Sequence, residues 1–157
     1  MAEFTALEAW AEGMLRKLQP AQQRRLLVDV ARRLRTANAQ RMRAQQDPEG
    51  QAWEPRKPPG PALRSRREQL RQQAQQRQPM FAKLRQQKHL KAHAAGAAAV
   101  VEFASRAQRI ARVHHFGEED AVNPGGPRVR YPARELLGIS EDDANALRDV
   151  LVDHFRS

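Results

Sequence analysis

Five histidines raise the first chemical question about this chain. His89 and His93 stand four residues apart, the spacing at which a helix offers two imidazoles to one zinc ion. No glutamate of the HExxH kind lies between them, and the chain has no cysteine to complete a ligand set. If this region is extended, residues four apart share a face but lie too far apart to hold one ion. His114 and His115 are adjacent, so on a helix they point about 100° apart and cannot chelate together. The expectation is surface or half-buried histidines, with no metal and no cofactor.

Nucleophilic and acid–base chemistry have no firmer footing. Ser65, Ser105, Ser140 and Ser157 lack the strand–turn–helix context of a nucleophile elbow, and Ser140 is better explained as a helix cap. Carboxylates cluster at Glu118-Glu119-Asp120 and Glu141-Asp142-Asp143, in a loop and in a first helical turn, where solvated acids gather. No phosphate-cradling glycine pattern occurs; Gly125-Gly126 lies between Pro124 and Pro127 as a loop. No catalytic role is expected.

Charge is the stronger signal. The chain carries +10 overall, with an isoelectric point near 11.2. Residues 61–91 hold nine cations (Arg64, Arg66, Arg67, Arg71, Arg77, Lys83, Arg85, Lys88 and Lys91) against the single acid Glu68, a net of +8. Residues 117–157 hold five arginines against nine acids, a net of −4. The basic run could neutralise phosphates with a steep salt dependence, but no aromatic residue is interleaved to stack bases. Acidic faces of partner subunits would satisfy the same charge. A chain polarised in this way could stack or form rings with copies of itself.

The elements that must position these groups follow from hydrophobic spacing. Leu7, Trp10, Ala11, Met14 and Leu18 recur at helical intervals, with Thr5 as N-cap and Pro20 ending the run. Pro20 can open a second helix, running to about Gln46, with Leu26, Leu27, Val30, Leu34 and Ala37 on one stripe. The two make a helical hairpin. Between Asp47 and Pro61 prolines and glycines leave no room for a regular element, and Trp53 is the natural anchor of that loop. Residues 62–78 could be helical but have almost nothing to bury, which predicts a mobile or partner-ordered arm. "HLKAHAAGAAAVVEFAS" reads as a β-hairpin turning near Ala95-Gly96, although its alanines would equally permit helix. Ser105 can cap a helix over Arg106–His115 with Ile110 and Val113 inward and Gly117 as its stop. Glu118–Pro127 reads as loop and Arg128–Tyr131 as a short extended piece. A final helix capped by Ser140 carries Leu147, Val150, Leu151 and Phe155 inward.

With 157 residues, 40% hydrophobic but only 5% aromatic, the chain suits one modest core with appendages. The expected class is α+β: an N-terminal helical hairpin (1–46), a Pro/Gly loop with a basic arm (47–79), and a region with a small antiparallel sheet and C-terminal helix (80–157). No apolar run approaches the roughly 20 residues that span a bilayer. Met1-Ala2-Glu3-Phe4 shows no secretory pattern, so a soluble chain made in the cytoplasm is expected, without a membrane partner.

Several blocks, taken in order, resemble a known family. They are "RRLLVDVARRLRTANAQRMRAQQDPEGQAWEPRKP", "MFAKLR" leading into the hairpin stretch, "RIARVHHFG", and "VRYPARELLGIS" with its closing helix. Together they are similar to the phage virion morphogenesis, or tail completion, family of contractile-tailed bacteriophages and Mu-like prophages, over roughly residues 20–155. The resemblance implies a structural protein of the virion tail, at the head–tail junction, assembled in the bacterial host cytoplasm. It implies a homo-oligomeric ring, commonly six-fold. Tail tube and sheath proteins and neck or connector proteins would be its partners, with packaged DNA a further non-specific contact. No catalytic residues carry over. Whether the basic arm meets DNA, the tube or a neighbouring subunit stays open, as does a plain nucleic-acid-binding role.

The segment 128–135 is the candidate contact surface. Pro132 cannot donate to a sheet ladder, which favours an exposed or edge segment. Tyr131, the only tyrosine, and the arginines around it are residue types enriched at interfaces. Arg128, Arg130, Tyr131, Arg134 and Glu135 are therefore the expected subunit or tube contacts, and Arg64, Arg66, Arg67, Arg71, Lys83, Arg85 and Lys88 those of the basic arm. The alternative for Tyr131 is that it merely covers the local core.

Overall fold

The computed structural model describes residues 2–57 and 65–156. Its spine is α2 (Pro20–Ala44). Proline opens this helix at a position whose backbone N–H would have no partner anyway, so the missing donor costs nothing. At the other end Gln45 takes the left-handed conformation, with φ of 60°. Its side chain then receives the returning chain: Oε1 accepts from the Met80 amide at 2.7 Å, and Nε2 donates to the Met80 carbonyl at 3.1 Å.

α2 lies across a β-hairpin of β1 (Leu90–Ala95) and β2 (Ala98–Phe103). Leu90 stands opposite Phe103 and Ala95 opposite Ala98. Gly96 supplies the positive φ of 56° that the two-residue turn requires at its first central position. Arg35 fastens helix to hairpin, donating from Nε to the Leu90 carbonyl at 2.7 Å. Behind β2 comes α4 (Ser105–Phe116), followed by a second two-stranded antiparallel sheet of β3 (Glu119–Ala121) and β4 (Arg128–Arg130). The last helix, α5 (Glu141–Arg156), packs on α2, and α1 (Ala2–Leu15) is laid against α5. The α+β reading holds.

One hydrophobic cluster unites the parts: Met42 from α2, Trp53 from the loop, Met80 and Leu84, Leu90 and Phe103 from the hairpin, Ala107 and Ala111 from α4, and Leu136. Leu26, Leu90 and Leu136 are almost completely buried, each worth about 1.5–3 kcal/mol relative to exposure. α3 (Arg66–Arg77) stands apart, capped by Ser65, whose Oγ accepts from the Glu68 amide at 3.2 Å, and burying none of its residues.

The structure corrects several sequence expectations. The first helix begins at Ala2, so Thr5 lies inside it rather than capping it. Ala104, not Ser105, holds the N-cap position of α4 and offers no side-chain bond. Ile110 points outward at 50% exposure, because the small residues Ala107 and Ala111 allow α4 its close approach to the core. Part of the expected loop 118–127 is strand, since residues 119–121 find ladder partners in β4. Trp53 does anchor its loop, and Gly117 does end α4, at φ of 68°.

A nearly buried polar knot joins α2 to the start of α5. Arg41 donates to the Asp143 carboxylate at 2.6 Å, to Asn38 Oδ1 at 2.9 Å and to the Gly138 carbonyl at 2.8 Å. Asn38 Oδ1 also accepts from the Gly138 amide at 2.9 Å. Ser140 and Asp143 cap one another reciprocally, each amide 3.0 Å from the other's side-chain oxygen. Position 138 must be glycine for a steric reason: a Cβ there would lie 2.3 Å from Pro48 Cγ. Gly138→Ala is therefore expected to destabilise by about 1–3 kcal/mol, by overpacking. Gly13→Ala, whose methyl meets nothing within 4 Å inside α1, should be neutral or stabilise by up to about 1 kcal/mol. Urea titrations of the two variants check both signs.

Candidate assembly surface

The stretch 128–139 is a strap that closes three other parts of the chain. It starts as β4, where Arg130 stands opposite Glu119 across the ladder and approaches its carboxylate at 3.6 Å. The ladder continues for one more bond, from the Tyr131 amide to the Glu118 carbonyl at 3.1 Å, and then meets Pro132, which has no donor. The strap next seals the C-terminal end of α4, where carbonyls have no helical partner. The Arg134 amide donates to the His114 carbonyl at 2.8 Å, and Arg130 Nη1 donates to that of Gly117 at 3.2 Å. The Leu136 amide donates to His115 Nδ1 at 3.1 Å, which places that ring's proton on Nε2. Gly117 allows this approach, since a Cβ there would sit 2.8 Å from the Ala133 nitrogen.

Side chains along the strap divide by direction. Arg134 turns inward and is only 6% exposed. Its Nε donates to the Glu54 carbonyl at 2.8 Å and its Nη2 to that of Pro55 at 3.3 Å. Trp53 replies with a bond from Nε1 to the Glu135 carbonyl at 3.2 Å. Arg134 is thus a strut between the strap and the 53–55 loop, and it leaves the set of surface contacts expected from the sequence. Arg128, Arg130 and Glu135 remain exposed, and Tyr131 is half-buried. Phe116, beside the glycine that the strap covers, is 64% exposed.

Beneath the strap four rings stand in a row. Trp53 meets Phe81 edge-on with centroids 5.6 Å apart, Phe81 meets His114 at 4.8 Å, and His114 meets Tyr131 at 4.6 Å. Phe81 holds φ at 61°, a strained backbone for a bulky residue, kept in place by the rings on either side. Burial pulls the His114 pKa below its ordinary value; the Arg134 charge adds to this and Asp120 opposes it. Asp120 is itself held below the usual carboxylate range by the Ala121 amide and by Arg109, whose guanidinium lies 2.5 Å away.

The residues of the expected basic arm do not form one unit. Arg66, Arg67 and Arg71 lie exposed on α3; Arg64 lies outside the described residues. Lys83 and Lys88 are exposed on the turns that flank buried Leu84, and Arg85 is half-buried there with its carbonyl accepting from Arg35. His93 bonds Glu102 across the hairpin at 2.9 Å. Among the described residues no group of three His, Asp or Glu side chains could hold a metal ion, and no helix is long and apolar enough to cross a membrane. The sequence reading missed the Arg41–Asn38–Asp143 knot. Its members lie in an arginine-rich helix and an acidic first turn, where nothing distinguishes them from solvated neighbours.

The sequence of this α+β chain has known relatives. The chain belongs to the phage virion morphogenesis family, whose model matches residues 2–156. It is 31% identical over 155 residues to Tail completion protein S of Escherichia phage P2, an alignment that covers 98% of each chain. No solved structure matches it.

Two outcomes follow from this geometry. Arg134→Ala leaves the Glu54 and Pro55 carbonyls short of donors and is expected to destabilise by about 2–3 kcal/mol, whereas Arg128→Ala on the exposed rim should change stability by less than about 0.5 kcal/mol. Thermal melts of the two separate strut from surface. Because the folded pKa of His114 lies below its unfolded value, the unfolded chain takes up the proton first as pH falls. The neutral ring's contribution is thus complete above about pH 6.5 and is lost on acidification toward the lower folded value. His114→Phe, which keeps a ring in the row, should flatten that acid limb in stability measured from pH 5 to 7.

Proposed function

We propose that this chain completes the virion tail at its head-proximal end and makes it competent to join a filled head. It would act as a structural part without catalysis. The observation that carries this reading is the full-length likeness to Tail completion protein S, in a family defined by virion morphogenesis. In this reading the protein works as a subunit of a homo-oligomeric, six-fold ring at the head–tail junction. Its partners are the tail tube and sheath proteins on one side and neck or connector proteins on the other. The exposed edge of the strap (Arg128, Arg130, Glu135 and the rim of Tyr131) supplies one contact surface, held rigid by the inward bonds of Arg134 and Trp53. A general nucleic-acid-binding role accounts for the charge but not for the likeness along the whole chain.

Electron microscopy of particles from a producing strain lacking this chain tests the reading. Separate filled heads with unjoined or aberrant tails are expected; normal joined virions would refute it. Complementation with Arg128→Glu/Arg130→Glu tests the surface. That variant should keep its helical content by circular dichroism yet fail to restore joined particles, and full restoration would remove the strap edge from the contact set.

A further inference from the structure

α3 is a helix that the rest of the chain does not need for its core, yet its residues are sorted by face. At 100° per residue, Arg66, Arg77, Leu70, Ala74, Arg67 and Arg71 fall within one arc of about 140°. Glu68, Gln69, Gln72, Gln73, Gln75 and Gln76 occupy the remainder. The glutamine side is the one turned to the body: Arg56 donates to the Gln75 carbonyl, and Gln76 Nε2 donates to that of Lys57 at 3.3 Å. Gln72 is the only half-buried residue of the helix. The arginine side is fully exposed, carries Leu70 at 58% exposure in its middle, and makes no ion pair among the described residues.

α5 carries the opposite pattern. Leu147 and Leu151 are buried; on the far side of the helix Asp142, Asp149 and Asp153 form a narrow exposed stripe, ended by Arg156. Four of the other six acids in residues 117–157 are already engaged: Glu118 with Arg112, Glu119 with Arg130, Asp120 with Arg109, and Asp143 with Arg41. The three aspartates of the stripe make no ion pair among the described residues. Arg66 to Arg77 and Asp142 to Asp153 span the same eleven-residue interval, about 16 Å of helix. The cations of this face are all arginine, the side chain whose planar fork matches a carboxylate. An apolar residue set among them suits a protein surface better than a phosphate backbone.

We propose that the arginine face of α3 docks on the aspartate stripe of α5 in a second copy of this chain, head to tail. This contact rests on the ring reading above and names the surface that links neighbouring subunits. A heterologous contact of this kind closes into a ring when the rotation between copies permits. Its ion pairs lie at an exposed interface, so salt weakens it.

Charge reversal of each face tests the contact, with light-scattering mass measured on the full-length protein. Arg67→Glu/Arg71→Glu and Asp149→Arg/Asp153→Arg alter exposed positions only, and circular dichroism checks that each keeps its helices. Each variant alone should self-associate about tenfold or more weakly than the wild type. An equimolar mixture of the two should regain the wild-type mass, because each then supplies the face that the other lacks. A mixture that stays dissociated, or single variants that assemble as the wild type does, would overturn the contact and leave the ring reading standing. A wild-type protein that is monomeric at every concentration would overturn both. Loss of duplex DNA retention in the α3 variant, with its assembly mass unchanged, would reassign the arginine face to nucleic acid.

Discussion

Arg41 stands where three parts of the chain must agree. Its guanidinium reaches the Asp143 carboxylate on α5, the Asn38 amide oxygen one turn back on α2, and the Gly138 carbonyl at the end of the strap. An ion pair so far removed from water gains little over apolar packing, and leaving one member unpaired costs about 3–5 kcal/mol. What such a knot supplies is registry. Asp143 caps α5 only in the position where it also meets Arg41, and Asn38 accepts from Gly138 only when the strap ends against α2. The slope of α5, the end of the strap and the approach of Pro48 to Gly138 are therefore fixed together.

From that fixed end the strap runs back over the end of α4 and the 53–55 loop, and it works in both directions. It supplies the donors that the last carbonyls of α4 lack, and it receives the Trp53 indole on its own carbonyl. The row of rings beneath it explains why a phenylalanine can hold a left-handed backbone at position 81. Rigidity of the exposed edge is thus a property of what lies under it. Arg128 and Arg130 can face outward in a defined geometry because Arg134 does not.

Much of this was legible in the residues. Helices α2 and α5 carry apolar stripes of clear helical period, and the hairpin was legible from Gly96 and the Val100, Val101 and Phe103 run although its alanines permitted helix as well. Trp53 was legible as an anchor because a lone large aromatic in a proline-rich loop has few other places to go. The failures share a cause. Ile110 and Ala107 compete for the inner face of α4, and hydrophobicity favours the former while close packing selects the latter. Arg134 looks like Arg128 and Arg130 in the sequence, and only the carbonyls of a loop eighty residues earlier draw it inward. The strand pairing of residues 119–121 is likewise set by a partner, since three residues of mixed polarity carry no period of their own.

The contact between Trp53 and Phe81 has a consequence for how this family can vary. Twenty-seven residues lie between these two rings in the chain, yet the rings touch, so the excursion that carries α3, a helix burying none of its residues, is closed at its base. Closing such an excursion costs chain entropy that grows only logarithmically, about 0.6 kcal/mol for each doubling of its length. The segment is in effect a cassette with a common entrance and exit. Its reach, its helix and its charge can be lengthened, shortened or exchanged over generations with little penalty to the core, which lets partner choice diverge while the fold stays the same.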